Sequence, residues 1–344
     1  MKKIGRVLSA VSVMFIMASC ASGGSVPEKS ADEKQSGSLF AMDTYMTVTA
    51  YGENAEKGIE AAQNEITRLE KLWSVTDENS EIYALDHSGG EAVEVSSETE
   101  ELLTFAEDMY LRTDGALDIS LYPVLRAWGF TTGEYRVSED KEISELLLKK
   151  GADKIRINGG KASVPDGTEI DLGAVAKGFA GDMAVKALKE QGVTAALLDL
   201  GGNIQTVGEK KPDGSSWKVG IRDPHGEGIA GTVEIGEKAV ITSGGYERYF
   251  ERDGVRYEHI LDPDTGRPAE SGLASATVIG GEGRMCDALS TSLYVMGLER
   301  AGEFWGSTGD FDMILITDEG GIYVTEGMES RFKASSGNVT VIRR

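Results

Sequence analysis

Cysteine, histidine and basic residues are scarce in this chain. Its 344 residues include two cysteines and three histidines, and 35 lysines and arginines stand against 57 aspartates and glutamates. Two cysteines allow at most one disulfide, which excludes a small scaffold held together by several cystines. The net charge of -22 predicts a surface that repels polyanions, so we expect no binding to nucleic acid. A site for an anionic ligand would need a cation or a helix N-terminus to reverse this field locally, which favours a bound metal.

The chain also lacks an apolar run long enough to cross a membrane, which takes ~20 residues. Its most apolar stretch, Val7–Ala18, follows Lys2, Lys3 and Arg6, an order typical of an export signal. The segment Met17–Cys20 resembles the lipobox of bacterial lipoproteins, although Met17 departs from the usual leucine. An ordinary cleavage site with an incidental cysteine is the alternative.

From this pattern we expect a lipoprotein signal peptide at residues 1–19 and a lipidated Cys20 that carries palmitate. Lipidation would consume one of the two cysteines and leave no pair for a disulfide within the chain. Residues 20–37 are rich in Ser, Gly, Glu, Lys and Asp and predict an anchor with a flexible tether. The remaining domain, residues 38–344, would then be held at the extracytoplasmic face of the cell membrane.

Helical periodicity is clearest in Asn54–Trp73, where five apolar side chains fall on one face. Ser97 and Glu100 match a capping box and predict the start of a second helix, which we expect to end near Gly115. Further helices are predicted at about residues 143–150, 173–191 and 284–295.

Strand patterns dominate the rest of the domain. Tyr45–Tyr51 alternates as a strand does, and shorter strands are predicted at about 154–157, 161–164, 195–200, 217–222, 231–235, 239–242, 256–261 and 274–279, with a closing hairpin at about 313–325. Strands follow one another more often than they alternate with helices. We therefore expect a single large α+β domain with a mainly antiparallel or mixed sheet and flanking helices.

The segment Ile170–Gly178 joins a strand end, a turn of small residues and a helix start. Free N–H groups and the positive end of the helix dipole attract phosphate at such a junction, and Lys177 could add a positive charge. The same segment also fits an ordinary helix start with Asp171 as its cap, since it matches neither a Walker A motif nor a dinucleotide-binding glycine motif.

Asp287 and Thr291 are four residues apart in a predicted helix and so share one face. A carboxylate and a hydroxyl are hard oxygen ligands, and Mg²⁺ takes few protein ligands because phosphate and water complete its shell. A solvated helix face is the alternative. His259, which ends a strand before an Asp-Pro turn, could accept a proton near neutral pH or be purely structural.

Together these segments resemble the ApbE family of FAD:protein FMN transferases, and the resemblance runs in order from about Phe40 to Met296. It implies an ApbE-like fold with T-fold-like halves. The matching motifs are Met42–Met46, Asp114–Ser120, Trp128–Phe130, Asp171–Gly178, Leu200–Asn203, Thr242–Tyr246, His259–Pro268 and Asp287–Thr291.

The resemblance also implies ligand-binding residues. Mg²⁺ would be bound by the backbone oxygen of Ala174, the carboxylate of Asp287 and the hydroxyl of Thr291, together with the FAD diphosphate. The residues implied to hold FAD are Met42 and Trp73 near the adenine, with Ala116, Leu117, Asp118, Asp171, Lys177 and Leu261.

The implied reaction is attack by a Thr or Ser hydroxyl of an acceptor protein on the FMN-side phosphorus of FAD. AMP leaves, and FMN remains joined to the acceptor by a phosphoester. The expected catalytic residues are Asp287 and His259, with His259 as the base. The expected acceptor is a flavoprotein subunit of an exported or membrane-bound electron-transport complex.

One position departs from the family pattern, because many relatives have tyrosine where this chain has Thr76. A different side chain at the flavin site would let water reach the FAD diphosphate, so a Mg²⁺-dependent FAD pyrophosphatase that forms FMN and AMP is the first alternative. The second is a flavin-binding lipoprotein that performs no chemistry.

Overall fold

The computed structural model describes residues 33–344. The predicted signal peptide, Cys20 and most of the predicted tether lie outside the described residues. Seven α-helices are present in the described part: α1 (Ala55–Trp73), α2 (Glu81–Asp86), α3 (Ser97–Arg112), α4 (Tyr122–Trp128), α5 (Asp140–Leu147), α6 (Ala176–Glu190) and α7 (Gly283–Thr308).

Seventeen strands occur in the same residues. They are β1 (Lys34–Ala41), β2 (Thr44–Tyr51), β3 (Val93–Glu94), β4 (Arg156–Ile157), β5 (Lys161–Ser163), β6 (Ala196–Asp199), β7 (Asn203–Val207), β8 (Trp217–Arg222), β9 (Ile229–Ile235), β10 (Ala239–Gly244), β11 (Tyr249–Arg252), β12 (Val255–Glu258), β13 (Leu273–Gly280), β14 (Asp312–Thr317), β15 (Ile322–Thr325), β16 (Phe332–Ala334) and β17 (Val339–Ile342).

Nine strands form the central sheet, in the order β1-β2-β6-β7-β10-β13-β14-β15-β17. Neighbours are antiparallel except β15 and β17, which are parallel. The predicted α+β class with a mixed sheet is therefore confirmed. Smaller sheets are formed by β16-β9-β8, β3-β5-β4 and β11-β12.

The central sheet is buried on both faces. Alternate residues of a strand point to opposite faces, and in β10 Ile241 packs into the core beneath α6 and α7, whereas Val240 packs against the small sheet of β8, β9 and β16. Helices α1 and α6 cover β1, β2 and β6 through a further apolar cluster. The domain therefore has three layers, and the α6 and α7 termini meet over the middle of the sheet. Within residues 33–344, no helix combines the length and the apolar character that a bilayer crossing requires.

Several helix predictions are confirmed, with boundaries that differ. The five predicted apolar side chains of α1 are all buried. Helix α3 is capped by Ser96 and not by Ser97, because Ser96 has the extended backbone of a cap and accepts from the Thr99 N–H at 3.3 Å. It ends at Arg112, before Gly115. Helix α6 begins at Ala176, after a turn at residues 172–175.

Other predictions were incomplete. The tether was expected to reach residue 37, but β1 begins at Lys34 because its backbone pairs with β2 from that residue onward. Helical structure in α7 continues beyond the predicted end near 295 to Thr308, with a kink where Gly297 has φ 77°. Strand β12 stops at Glu258, before the predicted end at 261. The elements that were not predicted from the sequence also include α2, α4, β3, β7, β11, β16 and β17.

Candidate active site

A cavity of about 1180 Å³ lies where α1, α6, α7 and β10 converge. It is large for a small-molecule site, since such pockets typically measure ~300–1,000 Å³. The structure brings every candidate residue named from the sequence to this one cavity wall, namely Met42, Trp73, Ala116, Leu117, Asp118, Asp171, Ala174, Lys177, His259, Leu261, Asp287 and Thr291.

The start of α6 and the side chain of Asp287 are joined by a hydrogen bond. The backbone N–H of Gly178 donates to Asp287 Oδ2 at 2.7 Å. This N–H belongs to the third residue of α6 and is one of the four that a helix start leaves without a partner inside the helix. The Asp287 carboxylate pairs this N–H, and the Ala174 carbonyl in the preceding turn accepts no backbone hydrogen bond from the described residues. That carbonyl and Asp287 Oδ1 are both available as ligand oxygens.

The crossing of α6 and α7 depends on two glycines. A Cβ on Gly178 would lie 2.7 Å from the Asp287 Cβ and would overlap the Gly283 carbonyl oxygen. A Cβ on Gly283 would overlap the amide of Gln205, whose Nε2 donates to the Gly178 carbonyl at 3.0 Å. The absence of side chains lets the two helices approach closely enough for the Gly178–Asp287 hydrogen bond.

The hydroxyl of Thr291 lies one helical turn from Asp287 on the same face of α7. Ser243, in β10, has its Oγ 3.1 Å from Thr291 Oγ1 and 2.8 Å from Ser290 Oγ. The sheet therefore orients the Thr291 hydroxyl. Among residues 33–344, no three His, Cys, Asp or Glu side chains converge as a metal cluster, so a cation here would have one carboxylate ligand with a hydroxyl and a carbonyl.

Two buried carboxyl groups flank this helix crossing. Burial raises the pKa of Asp287 to about 6, against the opposing effects of Lys177 and of the hydrogen bond from Gly178. Burial also raises the pKa of Asp182 to about 6, although this side chain accepts from the N–H groups of Gly283 and Arg284 at 2.6 and 2.9 Å. Asp182 thereby caps α7, and a cation beside Asp287 would favour its charged form.

His259 contacts the loop that follows β10. Its Nδ1 lies 3.2 Å from the carbonyl oxygen of Arg248. A carbonyl only accepts, so Nδ1 carries the proton and Nε2 is the basic nitrogen. Burial lowers the pKa of His259 to about 4, and the nearby charges of Arg248 and Lys177 lower it further. The ring is therefore neutral at physiological pH.

The hairpin between β1 and β2 turns at the cavity edge through Met42 and Asp43, which have φ values of 50° and 57°. Left-handed backbone at both residues is typical of a two-residue hairpin turn, but is unfavourable for a side chain such as methionine. The Met42 N–H donates to Glu70 Oε1 at 2.6 Å, which ties the turn to α1. The side chain of Asp43 also forms an ion pair with Arg248, at 3.1 Å.

Trp73 and the loop after it form another part of the wall. The Trp73 Nε1–H donates to Thr99 Oγ1 at 3.0 Å, and its ring packs edge-on against Phe179 with centroids 5.4 Å apart. These contacts fix the indole orientation. Ser74 Oγ accepts from the Thr76 N–H at 3.2 Å, and Thr76 lines the cavity.

Asp118 has one oxygen in use and one without a partner. Its Oδ1 accepts from the Ser120 N–H at 2.9 Å and from the Ser120 hydroxyl at 2.5 Å. Its Oδ2 is buried and has no hydrogen-bond partner among the described residues. Burial raises the pKa of this carboxyl. A polar ligand in the cavity could supply the missing partner.

Asn203 and Glu247 are polar residues of the cavity wall that were not assigned a role from the sequence. Burial raises the pKa of Glu247, while Lys177 lowers it and Asp287 raises it, so the three side chains share one electrostatic neighbourhood. Asn203 is 1% exposed. It lies in the Leu200–Asn203 motif, which was recognised, but only the folded chain shows which way its side chain faces.

The comparisons with known proteins cover most of the chain. A sequence model of the ApbE family matches residues 42–315. A protein of Treponema pallidum named FAD:protein FMN transferase is 31% identical over 349 residues, which cover 94% of this chain and 94% of that protein. The crystal structure of the ApbE protein of Thermotoga maritima has a TM-score of 0.81 at 32% identity and covers 86% of this chain and 98% of that chain. The flavinyl transferase ApbE of Pseudomonas stutzeri has a TM-score of 0.79 at 29% identity, with 89% and 98% covered.

Proposed function

Because this chain belongs to the ApbE family, we propose that it is an FAD:protein FMN transferase, which moves the FMN half of FAD to a hydroxyl of an acceptor protein and releases AMP. One structural observation carries the proposal. The Gly178–Asp287 hydrogen bond joins a helix start of the phosphate-binding type to the Asp287–Thr291 pair, and the Ala174 carbonyl beside that helix start accepts no backbone hydrogen bond from the described residues.

The donor set of this site fits Mg²⁺. The Ala174 carbonyl, the Asp287 carboxylate and the Thr291 hydroxyl are all hard oxygens, and three protein ligands leave room for phosphate oxygens and water. When bound, Mg²⁺ would neutralise the charge that builds on the diphosphate as the bond to AMP breaks. Lys177 and the N–H groups at the start of α6 would stabilise the remaining phosphate oxygens.

The cavity wall supports the proposed FAD contacts. Met42 and Trp73 would hold the adenine end, where Trp73 is already oriented by Thr99. Asp118 offers its unpartnered Oδ2 as an acceptor. The other proposed contacts with the dinucleotide are those of Ala116, Leu117, Asp171, Lys177 and Leu261.

His259 is the proposed base. Its neutral ring and unprotonated Nε2 suit it to accept the proton of an acceptor Ser or Thr hydroxyl. The hydroxyl oxygen forms a bond to the FMN-side phosphorus, and the bond from that phosphorus to the AMP oxygen breaks. Its low basicity implies that the proton moves as the new bond forms, and not before attack.

The cellular setting of the proposal comes from the sequence. A signal peptide at residues 1–19 and a lipid on Cys20 would hold the enzyme at the extracytoplasmic face of the membrane. There it would meet exported flavoproteins of electron-transport complexes. Mass spectrometry of the membrane-extracted protein would test this, since an intact residue 1 or an unmodified Cys20 would contradict it.

The decisive assay incubates the full chain with FAD, Mg²⁺ and a candidate acceptor flavoprotein. We expect a fluorescent covalent flavin adduct on the acceptor and one AMP per adduct. Asp287→Ala should abolish both, and His259→Ala should slow transfer by about 10²- to 10⁴-fold while FAD still binds. Asp108→Ala removes an exposed carboxylate of α3 and serves as the matched control, with unchanged activity.

Hydrolysis is the competing outcome, because Thr76 lines the cavity where many relatives have the larger tyrosine, and a smaller side chain leaves room for water to attack FAD. AMP release at a rate independent of acceptor, without an adduct, would identify an FAD pyrophosphatase. If FAD binds but no AMP forms under any condition, the chain is a flavin-binding lipoprotein. Full activity of Asp287→Ala would refute the metal assignment.

A further inference from the structure

Asn203 has a buried side chain that the proposed reaction leaves without a role. It lines the cavity and is 1% exposed, and neither its Nδ2 nor its Oδ1 has a hydrogen-bond partner among the described residues. Buried side-chain amides are normally hydrogen-bonded, because moving an amide out of water without a new hydrogen bond is energetically unfavourable. A ligand in the cavity is a source of the missing partners.

The strand that carries Asn203 shows which part of the cavity it faces. Side chains two residues apart in a strand share a face, and Gln205 reaches the start of α6, where it donates to the Gly178 carbonyl at 3.0 Å. Ile204, between them, packs against the apolar cluster on the opposite side of the sheet. Asn203 therefore faces the start of α6.

The neighbouring strand leads to the same position. Asn203 pairs with Ile241 of β10, and directly opposed residues of antiparallel strands project to the same face. Ile241 packs into the core beneath α7. Two residues further along β10, Ser243 contacts Thr291 at 3.1 Å. Asn203 thus lies on the same side of the sheet as the Asp287–Thr291 pair.

The charges around Asn203 favour a neutral donor. Asp287 and Glu247 are both carboxylates of the cavity wall, and the Glu247 Oε1 lies 3.8 Å from the Cβ that a side chain at Gly202 would have. The ammonium group of Lys177 lowers the pKa of both carboxyl groups. A diphosphate brings more negative charge into this region. A carboxamide can donate a hydrogen bond to a phosphate oxygen without adding an acidic group that would repel it.

We propose that Asn203 binds the diphosphate of FAD, with its Nδ2 donating a hydrogen bond to a phosphate oxygen. The inference rests on the proposed function, since it requires the dinucleotide to occupy this cavity. Asn203 then contributes a donor from β7, alongside Lys177 and the free N–H groups at the start of α6.

The test compares binding of FAD, riboflavin and adenosine to the full chain in the presence of Mg²⁺. Asn203→Ala should weaken FAD binding roughly 10- to 100-fold, as expected for the loss of a hydrogen bond to a charged group. Asn203→Asp should weaken it further, because a carboxylate of the same shape repels phosphate. Riboflavin and adenosine carry no phosphate, so their affinities should stay unchanged. Asn64→Ala, on the exposed face of α1, is the matched control.

Each other outcome has a distinct meaning. Unchanged FAD affinity in Asn203→Ala, an equal loss for riboflavin or adenosine, or FAD binding by Asn203→Asp at wild-type strength would each overturn the proposal. Failure of the wild-type chain to bind FAD would instead overturn the proposed function. Urea unfolding without ligand is the control for a folding defect. Because the Asn203 amide makes no hydrogen bond with the described residues in the free protein, Asn203→Ala should be as stable as the wild-type chain.

Discussion

Replacing Gly178 with alanine should separate the two helices that carry the proposed cation ligands. The new Cβ would lie 2.7 Å from the Asp287 Cβ and would overlap the Gly283 carbonyl oxygen. Neither group is the end of a flexible side chain, so α6 and α7 must move apart. The 2.7 Å hydrogen bond from the Gly178 N–H to Asp287 would then lengthen or break.

The size of the effect follows from three opposing contributions. Alanine is favoured over glycine inside a helix by about 1 kcal/mol. Overpacking a close contact opposes this by about 1–3 kcal/mol. Loss of a hydrogen bond to a charged group costs a further ~1.5–3 kcal/mol. We therefore expect Gly178→Ala to lower the free energy of unfolding by roughly 1.5–5 kcal/mol.

Urea unfolding with a matched control would measure this. Gly306 lies in α7, and a Cβ added to it would have no neighbouring atom within 4 Å, so Gly306→Ala makes the same chemical change without a clash. It should leave stability unchanged or raise it by up to about 1 kcal/mol. If Mg²⁺ binds as proposed, it should stabilise the wild-type protein against urea, and Gly178→Ala should lose that stabilisation. Equal stability of the two alanine variants would refute the close packing at this crossing.

Two further predictions concern groups around the site. Burial raises the pKa of Glu258 from 4.5 to about 7, so in this pH window the folded protein keeps a proton that the unfolded chain has released, and stability falls as pH rises, by up to about 1.4 kcal/mol per unit. Glu258→Gln should remove this slope and be more stable relative to wild type at pH 8 than at pH 4.5, as read from urea midpoints; a constant difference would contradict the raised pKa. Asp43→Gly should raise the free energy of unfolding by about 0.5–1 kcal/mol, because glycine suits the left-handed turn and an exposed ion pair such as that with Arg248 contributes little. A clear loss of stability would show instead that this ion pair holds the turn.

Elements with a strong local pattern were predicted well from the sequence. Helix α1 has an apolar stripe at helical spacing, and β2 and β8 alternate between buried and less buried residues. In these elements, the spacing of the apolar residues along the sequence indicates which face packs against the core. The grouping of the candidate residues in one cavity also agrees with the sequence analysis, because most of them lie in the short motifs that carry the family resemblance.

Elements defined by tertiary contacts were missed. Strand β1 is an edge strand with the polar sequence KQSGSLFA, in which seven of eight residues remain at least partly exposed, so its composition matched a tether. The side chain of Asn203 gave no signal either. Its importance depends on burial without a partner, which follows from the packing of β7 beneath α6 and cannot be read from the motif.

The hydrogen bond between Gly178 and Asp287 also has a consequence for how the protein is made. Its partner, Asp287, lies 109 positions later in the chain. A ribosome must therefore synthesise most of the domain before the carboxylate can pair with the Gly178 N–H, and a polypeptide ending before Asp287 has only the α6 half of the proposed site. The capacity to bind the proposed cation should thus appear only late in biosynthesis.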